Sequence, residues 1–166
     1  KQITKEKDLQ TAFADWTKEG DYIITAKGRR NLKLHMYHKD GGSGVKLIDK
    51  PSSIKITQPV VGSKDRYIWY AHRTSSWQYN ARFPQYQISK FDRETGEIKR
   101  ETSRFGSAFT PTLSPDGKWL VYGTRYEDKT ALRIRNLKTG DERWLAYPIQ
   151  KDDQESQATM GVLPGM

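Results

Sequence analysis

Three histidines, one glycine-rich stretch and one acidic cluster are the residues from which this chain could build a catalytic or metal centre. His35 and His38 are three apart. On a strand that spacing puts two side chains on opposite faces, so the pair cannot share a metal ion. His72 stands apart from both. Cysteine is absent, which excludes disulfides and thiolate metal sites. No Gly-x-Ser-x-Gly elbow is present to raise a serine nucleophile. Gly41-Gly42-Ser43-Gly44 lacks the Gly-Lys-Ser/Thr ending and the following helix of a phosphate loop, and by position it is a hairpin turn. Asp152, Asp153 and Glu155 offer the oxygen ligands that suit a cation. With Lys151 beside them they better suit a solvated connection between blades. Trp77, Tyr79, Arg82 and Phe83 fall within "TSSWQYNARFPQ", Thr74 to Gln85. That is too much apolar surface for a purely solvated loop. It fits either packing against a neighbouring unit or contact with a partner. No catalytic residue, cofactor site or metal site is expected in this chain.

What, then, do the strands position? Ser114-Pro115-Asp116-Gly117 is a tight turn by composition, with Pro presetting φ, Asp bonding locally and Gly tolerating positive φ. Lys118-Trp119-Leu120-Val121-Tyr122 follows as a strand that is apolar on both parities, which predicts cover on both faces. The stretch repeats. Shifted back by 52 residues it lies on "QPVVGSKDRYIWYAHR", with Pro59 on Pro111, Tyr67 on Trp119 and Tyr70 on Tyr122. Shifted back by 97 it lies on "ADWTKEGDYIITAKG", with Gly20 on Gly117 and Tyr22 on Trp119. After each copy comes a strand-turn-strand segment: "LKLHMYHKDGGSGVKLI", "YQISKFDRETGEIKRE" and "ALRIRNLKTGDERWLA". Four short strands in about 45 residues is the period of β-propeller blades. The expected architecture is all-β, a partial β-propeller of three four-stranded antiparallel blades. They span about 10–50, 55–103 and 106–149, with an insertion at 74–85. Residues 1–9 read as the end of a preceding blade, "KQIT" taking the place of its last strand. Residues 150–166 read as the connection to a following one. The whole chain, 1–166, is a single propeller fragment, and its start at Lys1 without an initiator Met or leader suits an excised or processed piece.

The totals agree with a folded β-rich domain. Of 166 residues 34% are hydrophobic and 30% charged, with 5 Trp, 9 Tyr and 5 Phe between the turns. No apolar run is long enough to span a bilayer. The formal charge is +9, but Lys and Arg are spread along the chain instead of clustering on one element. In Leu132-Arg133-Ile134-Arg135 they alternate with apolar residues, which predicts a solvated basic face and no nucleic-acid site.

"PTLSPDGKWLVYGT" and its two degenerate copies resemble the TolB-like propeller repeat, whose hallmark is Ser-Pro-Asp-Gly before an apolar strand. "YIWYAHRTSSWQYNARFPQYQISKFDRETGE" and "RWLAYPIQKDDQES" are similar to the N-terminal propeller of large bacterial amidohydrolase-linked proteins. This resemblance implies a non-catalytic scaffold, gate or protein-interaction module without a cofactor. It also implies a periplasmic or extracellular location, and partners in the remaining blades or catalytic domain of a parent protein. The metal-binding histidine motifs of amidohydrolases have no counterpart here. The alternative is a substrate-contacting propeller part of a hydrolase such as the prolyl oligopeptidase group. Bare blade faces, built by the strands that carry Ile68, Tyr70, Leu120 and Tyr122, predict association with parent blades or a homodimer of the chain.

Overall fold

The structure is a computed structural model that describes residues 3–4, 10–29, 31–49, 54–78, 83–126 and 129–149. Among the described residues twelve strands make three sheets, and there is no helix. The first sheet is β1 (Gln10–Trp16), β2 (Tyr22–Gly28), β3 (Lys33–His38) and β4 (Val45–Lys46). The second is β5 (Ile54–Val61), β6 (Tyr67–Gln78), β7 (Phe83–Asp92) and β8 (Ile98–Arg100). The third is β9 (Phe109–Leu113), β10 (Trp119–Tyr126), β11 (Lys129–Asn136) and β12 (Glu142–Ala146). Each is an antiparallel meander in chain order. This is the expected class and blade topology. Ile3 and Thr4, expected in a last strand, carry no strand, and the Ile3 carbonyl lies beside Gly41.

The turn that opens each blade shows why three unlike sequences fold alike. In the third sheet Ser114 N donates to the Trp119 carbonyl at 2.9 Å and Gly117 N to the Ser114 carbonyl at 2.9 Å. The Ser114 hydroxyl bonds Asp116 Oδ1 at 2.6 Å and accepts Trp119 N at 3.0 Å. Gly117 closes the turn at φ +69°. The first sheet repeats the pattern. Thr17 N donates to the Tyr22 carbonyl and Gly20 N to the Thr17 carbonyl, each at 2.9 Å, with Tyr22 N on the Thr17 hydroxyl at 3.0 Å. In the second sheet Gly62 takes the Ser114 place and Asp65 the Gly117 place, at φ 56°. Aspartate is among the few side chains that enter this region readily. Asp65 also reaches across to the first sheet, where its carboxylate accepts Lys18 N at 2.7 Å and Glu19 N at 3.1 Å.

The sheets stack through two apolar layers. Ile24, Ala26, Leu34, Ile56, Ile68, Tyr70 and Phe91 fill the layer between the first and second sheets. Trp69, Ala71, Tyr86, Ile88, Ala108, Leu120 and Tyr122 fill the one between the second and third. Each large aliphatic or Phe side chain among them contributes roughly 1.5–3 kcal/mol when fully buried. The second sheet is therefore the one covered on both faces, with Ile68 and Tyr70 on one side and Trp69 and Ala71 on the other. The double cover expected for Trp119–Tyr122 is supplied on one face by the second sheet. Leu120 and Tyr122 are fully buried, whereas Trp119 and Val121 point away from the second sheet and stay half-exposed. Ile68, Tyr70, Leu120 and Tyr122 thus lie in the seams between sheets and not on a bare outer face.

A second correction concerns the basic face. Arg133 and Arg135 do not project into solvent. Their register partners Tyr122 and Leu120 face the second sheet, and the arginines share that face. Arg135 Nη1 lies 2.8 Å from Glu142 Oε1, Arg133 Nε 3.4 Å from Glu142 Oε2, and Arg104 Nη1 3.7 Å from the same oxygen. Tyr122 donates its hydroxyl to Glu142 Oε2 at 2.9 Å. Burial, then the Glu142 charge, push that phenol well above its ordinary range.

Candidate functional site

The first strands of the three sheets, β1, β5 and β9, lie side by side, β5 touching both others. Each is broken at the same place. Phe13, Gln58 and Thr110 are equivalent under the offsets of 52 and 97, and all three have positive φ, at 56°, 51° and 50°. At each of them the pairing to the second strand slips, between Ala12 and Ala14, between Thr57 and Val60, and opposite Val121 and Gly123. These are β-bulges, which bend a strand and re-aim a side chain. For Phe and the β-branched Thr the left-handed conformation is strained by roughly 1–2 kcal/mol each. Lys55 adds a second break in β5, at φ 50°. Strain of this kind gathers at functional positions. Thr110 N donates to Gln58 Oε1 at 2.9 Å, so one bulge is tied to the next across the blades.

The bulges border a cavity of about 370 Å³. Phe13 enters from β1, Lys55, Thr57 and Gln58 from β5, Tyr86 from β7 and Phe109 from β9, with Leu32 on the floor. Phe13 is 47% exposed although it is a large apolar residue on a strand. Phe109 has room because Gly123 has no side chain; a Cβ there would stand 2.5 Å from its ring. Tyr86 is held by Ser107, whose hydroxyl accepts Tyr86 N at 3.1 Å, and by Ala108 N on the Tyr86 carbonyl at 2.8 Å. Burial raises the Tyr86 phenol above its ordinary range, and the nearby Arg73 charge opposes this.

The connection from β8 to β9 is pinned by two buried glutamines. Gln87 donates to the Arg104 carbonyl at 2.6 Å and accepts the Thr102 hydroxyl at 2.9 Å and Arg104 N at 3.0 Å. Gln85 donates to the Phe105 carbonyl at 2.6 Å. Neither glutamine was singled out from sequence; buried polar residues in an apolar strand were the available signal.

The residues that sequence reasoning did single out fall elsewhere. Asp152, Asp153 and Glu155 lie outside the described residues, as do Tyr79 and Arg82. The backbones of Trp77 and Phe83 are described, and the described ends of the insertion continue β6 and β7, with Trp77 opposite Pro84 and Gln78 opposite Phe83. His35 and His38 sit on β3. His35 Nδ1 lies 3.1 Å from the Lys33 carbonyl, and His38 Nδ1 3.4 Å from Asp40. Among the described residues no group of three or more His, Cys, Asp or Glu is placed to hold a metal ion, and no helix is long and apolar enough to cross a membrane.

His72 is buried, with Nε2 2.9 Å from the Ser89 hydroxyl. Burial, with a smaller push from Arg100, holds its pKa below the ordinary value. Above about pH 6.5 the ring is neutral folded or unfolded. As pH falls through that value the unfolded chain takes up the proton first, so stability is lost. The thermal midpoint is expected to fall between about pH 7 and pH 5.5, and His72→Gln to flatten that part of the profile. A wild-type profile as flat as the variant's contradicts this.

No protein-family model and no curated protein matches the chain. Solved structures do. A structure described as TolB of Agrobacterium tumefaciens matches with a TM-score of 0.68 at 17% identity, over 87% of this chain and 51% of that one. TolB of Acinetobacter baumannii matches with a TM-score of 0.63 at 23% identity, over 87% of this chain and 37% of that one. A prolyl endopeptidase structure matches with a TM-score of 0.65 at 17% identity, over 84% of this chain and 22% of that one. The chain spans about half or less of the length of each. It has the TolB-like β-propeller fold.

Proposed function

We propose that the chain is a non-catalytic TolB-like propeller segment that acts as scaffold, gate or protein-interaction module of a larger protein. The observation that carries this is the unequal cover of its sheets. The second is sealed on both faces, while Val121, Leu132 and Ile134 of the third lie half-buried beyond it. A sheet with a half-buried apolar face suits stacking against a further sheet. The parent, on this reading, is a bacterial amidohydrolase-type protein of the periplasm or cell exterior. The partner is its remaining blades or catalytic domain, or a second copy of this chain. The segment itself uses no cofactor and contacts no nucleic acid. Sedimentation velocity from low to high micromolar concentration tests it. Concentration-dependent pairing is expected, weakened by Val121→Asp. A monomer at every concentration, with an intact β spectrum, contradicts it.

One observation favours a second reading, a substrate-contacting propeller part of a hydrolase of the prolyl oligopeptidase type. It is the cavity bordered by bulged first strands, in a fold shared with a prolyl endopeptidase. Both readings predict no turnover of peptide, ester or amide by this chain alone. They separate in the parent gene, where amidohydrolase histidine motifs or a Gly-x-Ser-x-Gly elbow should follow.

A further inference from the structure

Three features of the bulge-bordered cavity point to one kind of ligand. The first is charge. Lys55 is exposed at its edge and has no carboxylate partner among the described residues, and no carboxylate lines the cavity among them. The second is an amide donor on the lining. Gln58 spends its Oε1 on Thr110 N, and its Nε2 has no acceptor among the described residues. The third is the wall. Phe13, Tyr86 and Phe109 supply three rings, and Phe13 is held at positive φ with nearly half its surface in solvent. An exposed strand residue has no packing reason to be a strained aromatic; Gly or Asn would sit there without strain. A volume of about 370 Å³ is that of a small-molecule site.

We propose that this cavity binds a small carboxylate on an apolar body, such as the C-terminal residue of a peptide that ends in an aromatic side chain. The carboxylate meets Lys55 Nζ and Gln58 Nε2, and the body lies among Phe13, Tyr86 and Phe109. The bulges serve this arrangement by turning side chains of β1 and β5 toward one space. Binding here does not depend on whether the chain is scaffold or hydrolase part.

The test uses the 166-residue chain and three probes, followed by amide chemical-shift titration. N-acetylphenylalanine carries the carboxylate and a peptide bond, 3-phenylpropionate carries the carboxylate alone, and N-acetylphenylalaninamide is the neutral counterpart. A ligand of this size is expected to bind with a Kd of about 1 mM. The amide is expected to bind about tenfold more weakly, as befits loss of a charge-assisted contact. Comparison of the two acids separates a peptide chain end from a simple aryl acid. Lys55→Gln should erase the preference for acid over amide. Phe13→Gly should weaken all three probes while its thermal midpoint stays equal or rises, because strain is relieved. Equal binding of acid and amide, no saturable shift with either acid, or an acid preference that survives Lys55→Gln overturns the proposal. A Phe13→Gly variant that melts lower and binds as before does so too.

Discussion

Gly106→Ala is expected to cost about 3 kcal/mol and to loosen the third sheet from the second. Gly106 is buried in the connection from β8 to β9, beside the end of β10. A Cβ at this position runs into the carbonyl oxygen of Arg125. The obstacle is backbone, not the tip of a flexible side chain, so rotamer change cannot relieve it. Moving either strand breaks the bond from Arg125 N to the Gly106 carbonyl at 2.8 Å and disturbs the Thr124 hydroxyl, which bonds the Ser107 carbonyl at 2.7 Å. It also pulls on Arg104, which Gln87 grips through both its N–H and its carbonyl. The contrast is Gly96, at φ +73°, where an added methyl group would have nothing within 4 Å. There Ala meets only the left-handed penalty of roughly 1–2 kcal/mol. Urea unfolding of the two variants reads the difference. A Gly106→Ala protein within about 1 kcal/mol of the parent would show that the connection slides freely past β10.

The sequence announced the blades because turn chemistry and strand parity are local. Ser114, Asp116 and Gly117 bond one another within six residues, and that pattern survives when Thr17 and Gly20, or Gly62 and Asp65, replace them. The period then marked the blades where letters failed. What stayed hidden was set by residues far apart in the chain. Arg133 and Arg135 look like solvent-facing charges in an alternating strand. Their carboxylates come from Glu142 on the next strand and Glu101 from the neighbouring blade, with Arg135 Nε 3.9 Å from Glu101. Alternation told which residues share a face, but not that the face was an interface.

The cavity was hidden for another reason. Phe13, Gln58 and Thr110 occupy one repeat position with three unrelated side chains, none of them glycine. A bulge is a property of the backbone that such residues leave unmarked. The available signal was Pro59 and Pro111, which follow two of the three inside strands. Proline gives no ladder N–H and is confined to edges and bulges, so its recurrence at one offset marks where pairing breaks. Trp77, Tyr79, Arg82 and Phe83, and Asp152, Asp153 and Glu155, stand out by composition, which reports surface chemistry and not convergence in space.

The network around Glu142 supports the second large prediction, that Glu142→Gln costs about 2–4 kcal/mol. Arg104, Arg133 and Arg135 all direct guanidinium nitrogens at this one carboxylate, which keeps only 16% of its side chain exposed. Arg133 and Arg104 also stack on Trp144, at 4.4 and 5.5 Å from the ring centre, so they are fixed in place by packing as well as by charge. Glutamine keeps the shape and can still accept from Tyr122. What it removes is the charge, leaving three cations with Glu101 as the remaining carboxylate in their network. Removing one partner from a buried pair costs about 3–5 kcal/mol, and partial solvent access lowers that. By comparison the exposed pair of Lys46 and Asp49, at 3.1 Å, is worth less than about 1 kcal/mol, so Asp49→Asn should be nearly silent. Salt separates charge from packing. Raising ionic strength to about 1 M shortens the screening length to about 3 Å and should return part of the loss in Glu142→Gln. A loss that persists unchanged at high salt points to packing of the introduced glutamine instead, and a loss below about 1 kcal/mol at low salt means that the three arginines find solvent without help.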